Sequence, residues 1–199
     1  GLGWSGDAPP SWQDVVAAVD AGDLSYGMTS PVASNSGFTT LVQAATALAG
    51  TGTVLTEDDI DTVTPLLESF AAGQDLASGS SGWLAERFVE DPGAVDSIFN
   101  YESVLSGLDV DLDIVVPSDG SITSDYPLTL LGGANAETAE AYDAVVEYLM
   151  GDEVQKRISD VTHRRTTATA PDAAATTYEL PFPAQLQTVQ QLLRTWVST

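Results

Sequence analysis

Tyr26-Gly27-Met28-Thr29-Ser30-Pro31-Val32-Ala33-Ser34-Asn35-Ser36-Gly37-Phe38, followed by the apolar run from Leu41 to Leu48, reads as a short strand, a small-residue turn and a helix. Pro31 ends the strand, and Ser34, Asn35 and Ser36 carry side-chain oxygens that accept free backbone N–H groups at a helix start. Gly37 allows a close approach of backbone or ligand. Leu41, Ala44, Ala45 and Leu48 recur at i, i+3, i+4 and i+7, a buried helical stripe. A strand that ends in serines at a helix N-terminus can hold an anion without basic residues, because unpaired amides and the helix dipole supply the positive field. The same residues also describe a well-capped helix with nothing bound, and this stretch alone leaves both readings open.

Outward from it, the chain continues the same alternation. Ser11 caps a helix whose third position is Asp14, with Val15, Val16 and Val19 on its apolar face and Gly22 at its end. Leu24 to Met28 is the strand, and helix 39–49 stops at Gly50. Thr56 starts another helix, with Ile60, Val63, Leu66, Leu67 and Phe70 buried and Pro65 interrupting. Ser78-Gly79-Ser80-Ser81-Gly82 is a turn before the helix Trp83 to Phe88, and Ala94 to Asn100 is helical or extended. Val110 to Pro117 and Tyr126 to Leu131 read as strands. Glu137 to Met150 is a helix with Ala141, Val145, Tyr148 and Leu149 inward, and Glu153 to Val161 is a shorter one. Thr166 to Pro183, rich in Thr, Ala and Pro, is a tether. Gln185 to Val197 is an amphipathic helix with Leu186, Val189, Leu192, Leu193 and Trp196 on one side. Helix, strand, turn, helix is the wound α/β pattern.

Composition narrows the functions. The chain has 199 residues, six Lys and Arg against 29 Asp and Glu, and a net charge of −23. Such a surface repels nucleic acid and anionic membranes, and no apolar run is long enough to span a bilayer. With no cysteine, disulfides and thiolate metal sites are excluded. Asp109, Asp111 and Asp113 do not make a calcium loop, since no Gly stands at its sixth position and no acid at its twelfth. Glu57, Asp58, Asp59 and Asp61 are a solvated helix start, not a metal site. The single histidine, His163, sits between Thr162 and Arg164-Arg165, with no Gly-x-Ser-x-Gly elbow and no P-loop in the chain. No catalytic residue, metal site or cofactor is expected.

Several segments together resemble the type II extracellular solute-binding proteins of bacterial ABC uptake systems. These are Met28 to Phe38, Ser81 to Phe88, Phe99-Asn100-Tyr101-Glu102-Ser103, Asp119 to Leu128, and Val154-Gln155 with Thr162 to Arg165. The closer resemblance is to the solute-binding-like region that precedes a von Willebrand factor A domain in actinobacterial surface proteins, and Glu179-Leu180-Pro181-Phe182-Pro183 resembles the connector to that domain.

The resemblance implies a periplasmic-binding-protein-like α/β fold of two lobes joined by a hinge, with the first lobe incomplete. Residues 1–165 would form the solute-binding-like domain, about 1–105 mainly second lobe and about 106–165 returning to the first. Residues 166–199 would be connector and C-terminal helix. It implies an extracellular or cell-surface, non-enzymatic protein that takes a small oxyanion or polar solute in an interlobe cleft. The contacting residues would be Ser30, Ala33, Ser34, Ser36, Gly37 and Tyr101. The alternative is an adhesion or scaffold module, partnered by an adjacent von Willebrand factor A domain, that has lost solute binding. The domain's Asp-x-Ser-x-Ser metal motif is not in this chain.

Overall fold

The computed structural model describes residues 2–124, 126–166 and 181–198. Two compact units emerge: unit 1, Gly1–Ile122 with Thr177–Thr199, and unit 2, Thr123–Thr176.

Unit 1 is built on a parallel sheet of three strands, β1 (Tyr26–Thr29), β2 (Gln74–Ser78) and β3 (Ser97–Ile98), in the order β2-β1-β3. Every residue of β1 is buried, as expected of a central strand covered on both faces. Successive side chains point to opposite faces. Tyr26 and Met28 enter the larger core with α1 (Trp12–Ala21), α2 (Asn35–Ala49), α3 (Glu57–Ala72) and α8 (Leu186–Val197). Gly27 faces the other way. A Cβ there would meet Ile98, Leu84 and Leu76 at 2.9–3.2 Å. Those side chains belong to or border the second cluster, which Phe88 and Val95 complete under α4 (Ser81–Glu90). Helices therefore cover both faces of the sheet, which is the doubly wound α/β arrangement.

The larger core centres on aromatic rings. Tyr26 stacks on Phe70 with centroids 4.7 Å apart, Phe99 stands edge-on to Tyr26 at 4.9 Å, and Trp12 stacks on Phe99 at 5.4 Å. The Tyr26 hydroxyl donates to the Phe70 carbonyl at 2.6 Å, so the one polar atom of that ring is satisfied in the core. Burial pushes its ionisation well above the usual tyrosine range.

Caps follow the sequence. Ser11 and Asp14 form a capping box on α1, Thr56 and Asp59 another on α3, and Ser80 accepts from the Trp83 amide at the start of α4. A further carboxylate, Asp119, accepts from the Trp12 amide at 3.0 Å and fastens the 117–120 turn onto α1. Gly22 and Gly50 end α1 and α2 in the left-handed conformation.

The structure departs from the sequence reading in several places. First, β2 is unforeseen: Gln-Asp-Leu-Ala-Ser buries only Leu76, the signature of an edge strand without hydrophobic alternation. Second, residues 110–117 and 126–131 join no ladder among the described residues, so their strand-like composition goes unpaired. Third, α3 runs unbroken through Pro65, because Ile60, Val63, Leu67 and Phe70 bury it on both sides of the proline. Fourth, α2 starts at Asn35, four residues before the expected position. Fifth, Leu186 is exposed, whereas Leu192 fills the core of α8's apolar side.

Unit 2 contains α6 (Ala136–Leu149) and α7 (Asp152–Thr162), which pack on each other. Asn135 caps α6 by accepting from the Thr138 amide, and the Tyr142 hydroxyl donates to the Leu128 carbonyl at 3.0 Å. The Arg164 guanidinium lies over the Tyr126 ring at 4.1 Å. The expected inward stripe of α6 is rotated. Ala139, Tyr142, Val146 and Leu149 are half-buried, whereas Val145 and Tyr148 are 47% and 66% exposed. No described residue of unit 2 is buried. Residues 167–180, most of the expected tether, and Asp125 lie outside the described residues.

Candidate functional site

The chain leaves β1 for β2 on one side, then crosses to β3 on the other. Loops that follow β1 and β3 therefore diverge to opposite faces at the carboxyl ends of the strands. That switch point is where open α/β sheets leave a crevice for ligands. Here it is flanked by Ser30–Ser34 after β1 and by Phe99–Tyr101 after β3, with the α4 start (Gly79–Ser81) after β2 alongside.

The turn after β1 is closed by the Ser30 carbonyl, which accepts from the amides of Ala33 and Ser34 at 3.1 and 2.9 Å. Ser34 is the N-cap of α2, yet its side chain makes no capping bond. It lies 3.2 Å from the Ser36 hydroxyl, which in turn is 2.7 Å from the Thr29 hydroxyl. Thr29 and Ser36 are buried, and Ser34 is half-buried. The three hydroxyls form a chain running from the end of β1 toward the surface. Because Ser34 turns along this chain, the first-turn amides of α2, the ones every helix leaves without an internal partner, receive no side-chain cap.

Gly37 explains how the helix comes so close. A Cβ at this position would stand 2.0 Å from the Thr29 carbonyl oxygen and 2.9 Å from its hydroxyl. Helix α2 thus rests directly on the end of β1. Ser36 and Gly37 are buried, Ser30 is half-buried and Ala33 is exposed.

Tyr101 reaches this end of the sheet from the other loop. Its hydroxyl accepts from the Asn35 side-chain amide at 2.8 Å. The Tyr101 backbone amide donates to the Asn100 carboxamide oxygen at 2.8 Å, and the Asn100 amide donates to the Ser81 carbonyl at 2.8 Å. These bonds belt the three loops together across the switch point. The geometry thus gathers Ser30, Ser34, Ser36, Gly37 and Tyr101 at one end of the sheet; Ala33 sits on the same turn. In the sequence Thr29 is hidden inside a strand, Asn35 reads only as a cap and Asn100 only as part of a segment. No local signal reveals their partners, which lie far along the chain.

The region is electrically plain in a strongly acidic chain. From Leu24 to Thr56 there is no Asp, Glu, Lys, Arg or His. Any anion held there meets amide and hydroxyl dipoles and no side-chain carboxylate from this stretch. At the opposite end of the sheet, Asp96 accepts from the backbone amide and hydroxyl of Ser25 at 2.8 and 2.7 Å. The amide, then the hydroxyl, hold its carboxyl below the usual range. Among the described residues no cluster of three or more His, Asp or Glu could hold a metal ion. No helix there is long and apolar enough to cross a membrane. A hollow of about 340 Å³ between the starts of α3 and α8, lined by Leu55, Thr56 and Thr188, lies away from the switch point.

Comparison with the curated proteins and with the solved structures gives no match. A family model described as bacterial extracellular solute-binding protein matches residues 4–190, a span that takes in all three loops at the carboxyl end of the sheet, and the chain belongs to that family.

Proposed function

We propose that this chain is a non-enzymatic extracellular solute-binding domain that holds a small oxyanion or polar solute at the switch point between β1 and β3. The observation that carries this is the uncapped start of α2: Ser34, a good capping residue, directs its hydroxyl to Ser36 and leaves the first-turn amides without a side-chain cap. The solute contacts proposed are Ser30, Ala33, Ser34 and Tyr101 at the rim, with Ser36 orienting Ser34 and Gly37 letting the amides come close to the strand end. A hinged two-lobe fold is part of this proposal, as is delivery to an ABC uptake system.

Titration calorimetry against a panel of sulfate, phosphate, molybdate and small polar organic solutes tests it. One of them is expected to bind, and Ser34→Ala with Ser36→Ala to weaken it by about tenfold or more, the scale of losing hydrogen bonds to a charged ligand. Binding that survives both substitutions, or none across the panel, would sink the reading.

One observation favours the rival. The Asn35–Tyr101 bond spans the crevice with the protein's own groups, which suits an adhesion or scaffold module beside a von Willebrand factor A domain. For that module, binding of the adjacent domain would be unchanged by the serine substitutions, and Asn35→Ala would open no solute site.

A further inference from the structure

Helix α4 presents an aromatic ring and a cation side by side. Trp83, in its first turn, is 63% exposed. One edge of the indole sits in ordinary contact range of Gly79, where an added Cβ would lie 3.6 Å from the ring. Arg87 follows at i+4, so the two side chains share a face with their Cβ atoms about 5–6 Å apart. Long helical side chains lean toward the helix N-terminus, and Arg87 does so: Nη1 donates to the Ala77 carbonyl at 3.2 Å, at the carboxyl end of β2. That bond fixes the guanidinium beside the Gly79–Trp83 turn and uses one of its five donors. Among the described residues no carboxylate forms an ion pair with it, although Glu86 and Glu90 lie close in sequence.

The charge setting makes this pair stand out. Residues 1–122 and 177–199 hold twenty acids and only two basic side chains, Arg87 and Arg194. Arg87, in the last turn of α4, is the cation whose guanidinium reaches back to the carboxyl end of β2. An anchored guanidinium next to an open indole face matches a planar organic anion. The Arg fork takes a carboxylate, and the indole stacks on a ring a few ångströms away. An inorganic oxyanion would use the first and waste the second.

We propose that the solute is an organic acid bearing a flat apolar ring, that its ring stacks on Trp83, and that its carboxylate pairs with Arg87. This rests on the solute-binding reading above. Trp83 and Arg87 then decide which solutes are accepted.

Calorimetry with the intact chain and phenylacetate, indole-3-acetate, benzyl alcohol and sulfate separates the outcomes. The two aromatic carboxylates are expected to bind and benzyl alcohol to bind at least about tenfold more weakly. Trp83→Ala should abolish aromatic carboxylate binding, Trp83→Phe should largely keep it, and Arg87→Gln should weaken it by about tenfold or more. Both positions are exposed, so unchanged far-ultraviolet circular dichroism and thermal midpoint verify folding. Equal binding of benzyl alcohol and phenylacetate overturns the role of Arg87. Binding of sulfate without either aromatic carboxylate overturns this proposal while the oxyanion reading stands. Aromatic carboxylates that bind equally to wild type and to Trp83→Ala overturn it as well, and failure of all four probes does so too.

Discussion

Gly37 shows how much a single hydrogen atom in place of a methyl group can decide. It is helical, so its conformation suits any residue, and the constraint is space alone: the Thr29 carbonyl oxygen occupies the place a Cβ would need. Gly37→Ala must either lift α2 from the strand or bend the turn at Ser30. Overpacking of this kind costs about 1–3 kcal/mol, and urea denaturation should show a midpoint lowered accordingly with the slope unchanged. An alanine variant as stable as the parent would mean that α2 does not rest on β1 as described. The sequence made Gly37 noticeable as a close-approach glycine. It could not say whether backbone or ligand was the neighbour, because the answer depends on how the strand and the helix meet.

Among the elements, the legible ones carry their own punctuation. Helices α1 and α3 announce themselves with Ser11/Asp14 and Thr56/Asp59, and both boxes form. β1 is readable because it is central and buried throughout. The short strands on either side of it are not: β2 buries one side chain and β3 is two residues long. Their pairing is decided by register with β1, a non-local fact. The apolar run 110–116 errs in the opposite sense, since propensity without a neighbouring strand makes no sheet. The C-terminal helix is the element with the largest stake in packing. Leu192 is fully buried and α8 lies against α3. Leu192→Ala should therefore cost about 2–5 kcal/mol by leaving a cavity between them, whereas Leu186→Ala, on an exposed position, should change stability by no more than about 0.5 kcal/mol. Thermal unfolding of the two variants side by side checks this, and similar losses would contradict the placement of α8.

At the scale of the whole molecule, charge and capping oppose each other as the pH falls. The net charge of −23 favours partial protonation, which relieves repulsion. Three carboxylates act the other way. Asp14, held by the amide and then the hydroxyl of Ser11, Asp59, held by the hydroxyl and then the amide of Thr56, and Asp96, held by Ser25, all titrate below the usual range in the folded chain. A depressed folded value means that their contribution is fully present above the unfolded carboxylate value, about 3.9, and disappears as the pH drops through the folded one. The thermal midpoint should thus hold or rise on mild acidification and fall steeply below about pH 4. Asp96→Asn should lower stability at neutral pH and flatten that acid limb. An Asp96→Asn curve parallel to the parent at every pH would remove Asp96 from the account.

The placement of α8 also bears on how the protein is made. Unit 1 is discontinuous: its core takes Leu192 and Trp196 from a segment that follows all of unit 2. On the ribosome, α3 emerges with one flank open and stays so while unit 2 is being synthesised. Domains tend to fold as they emerge, but this one cannot close early. A chaperone that covers the flank of α3 around Asp61 and Phe70, and lets go when α8 arrives, would have its greatest effect in that interval.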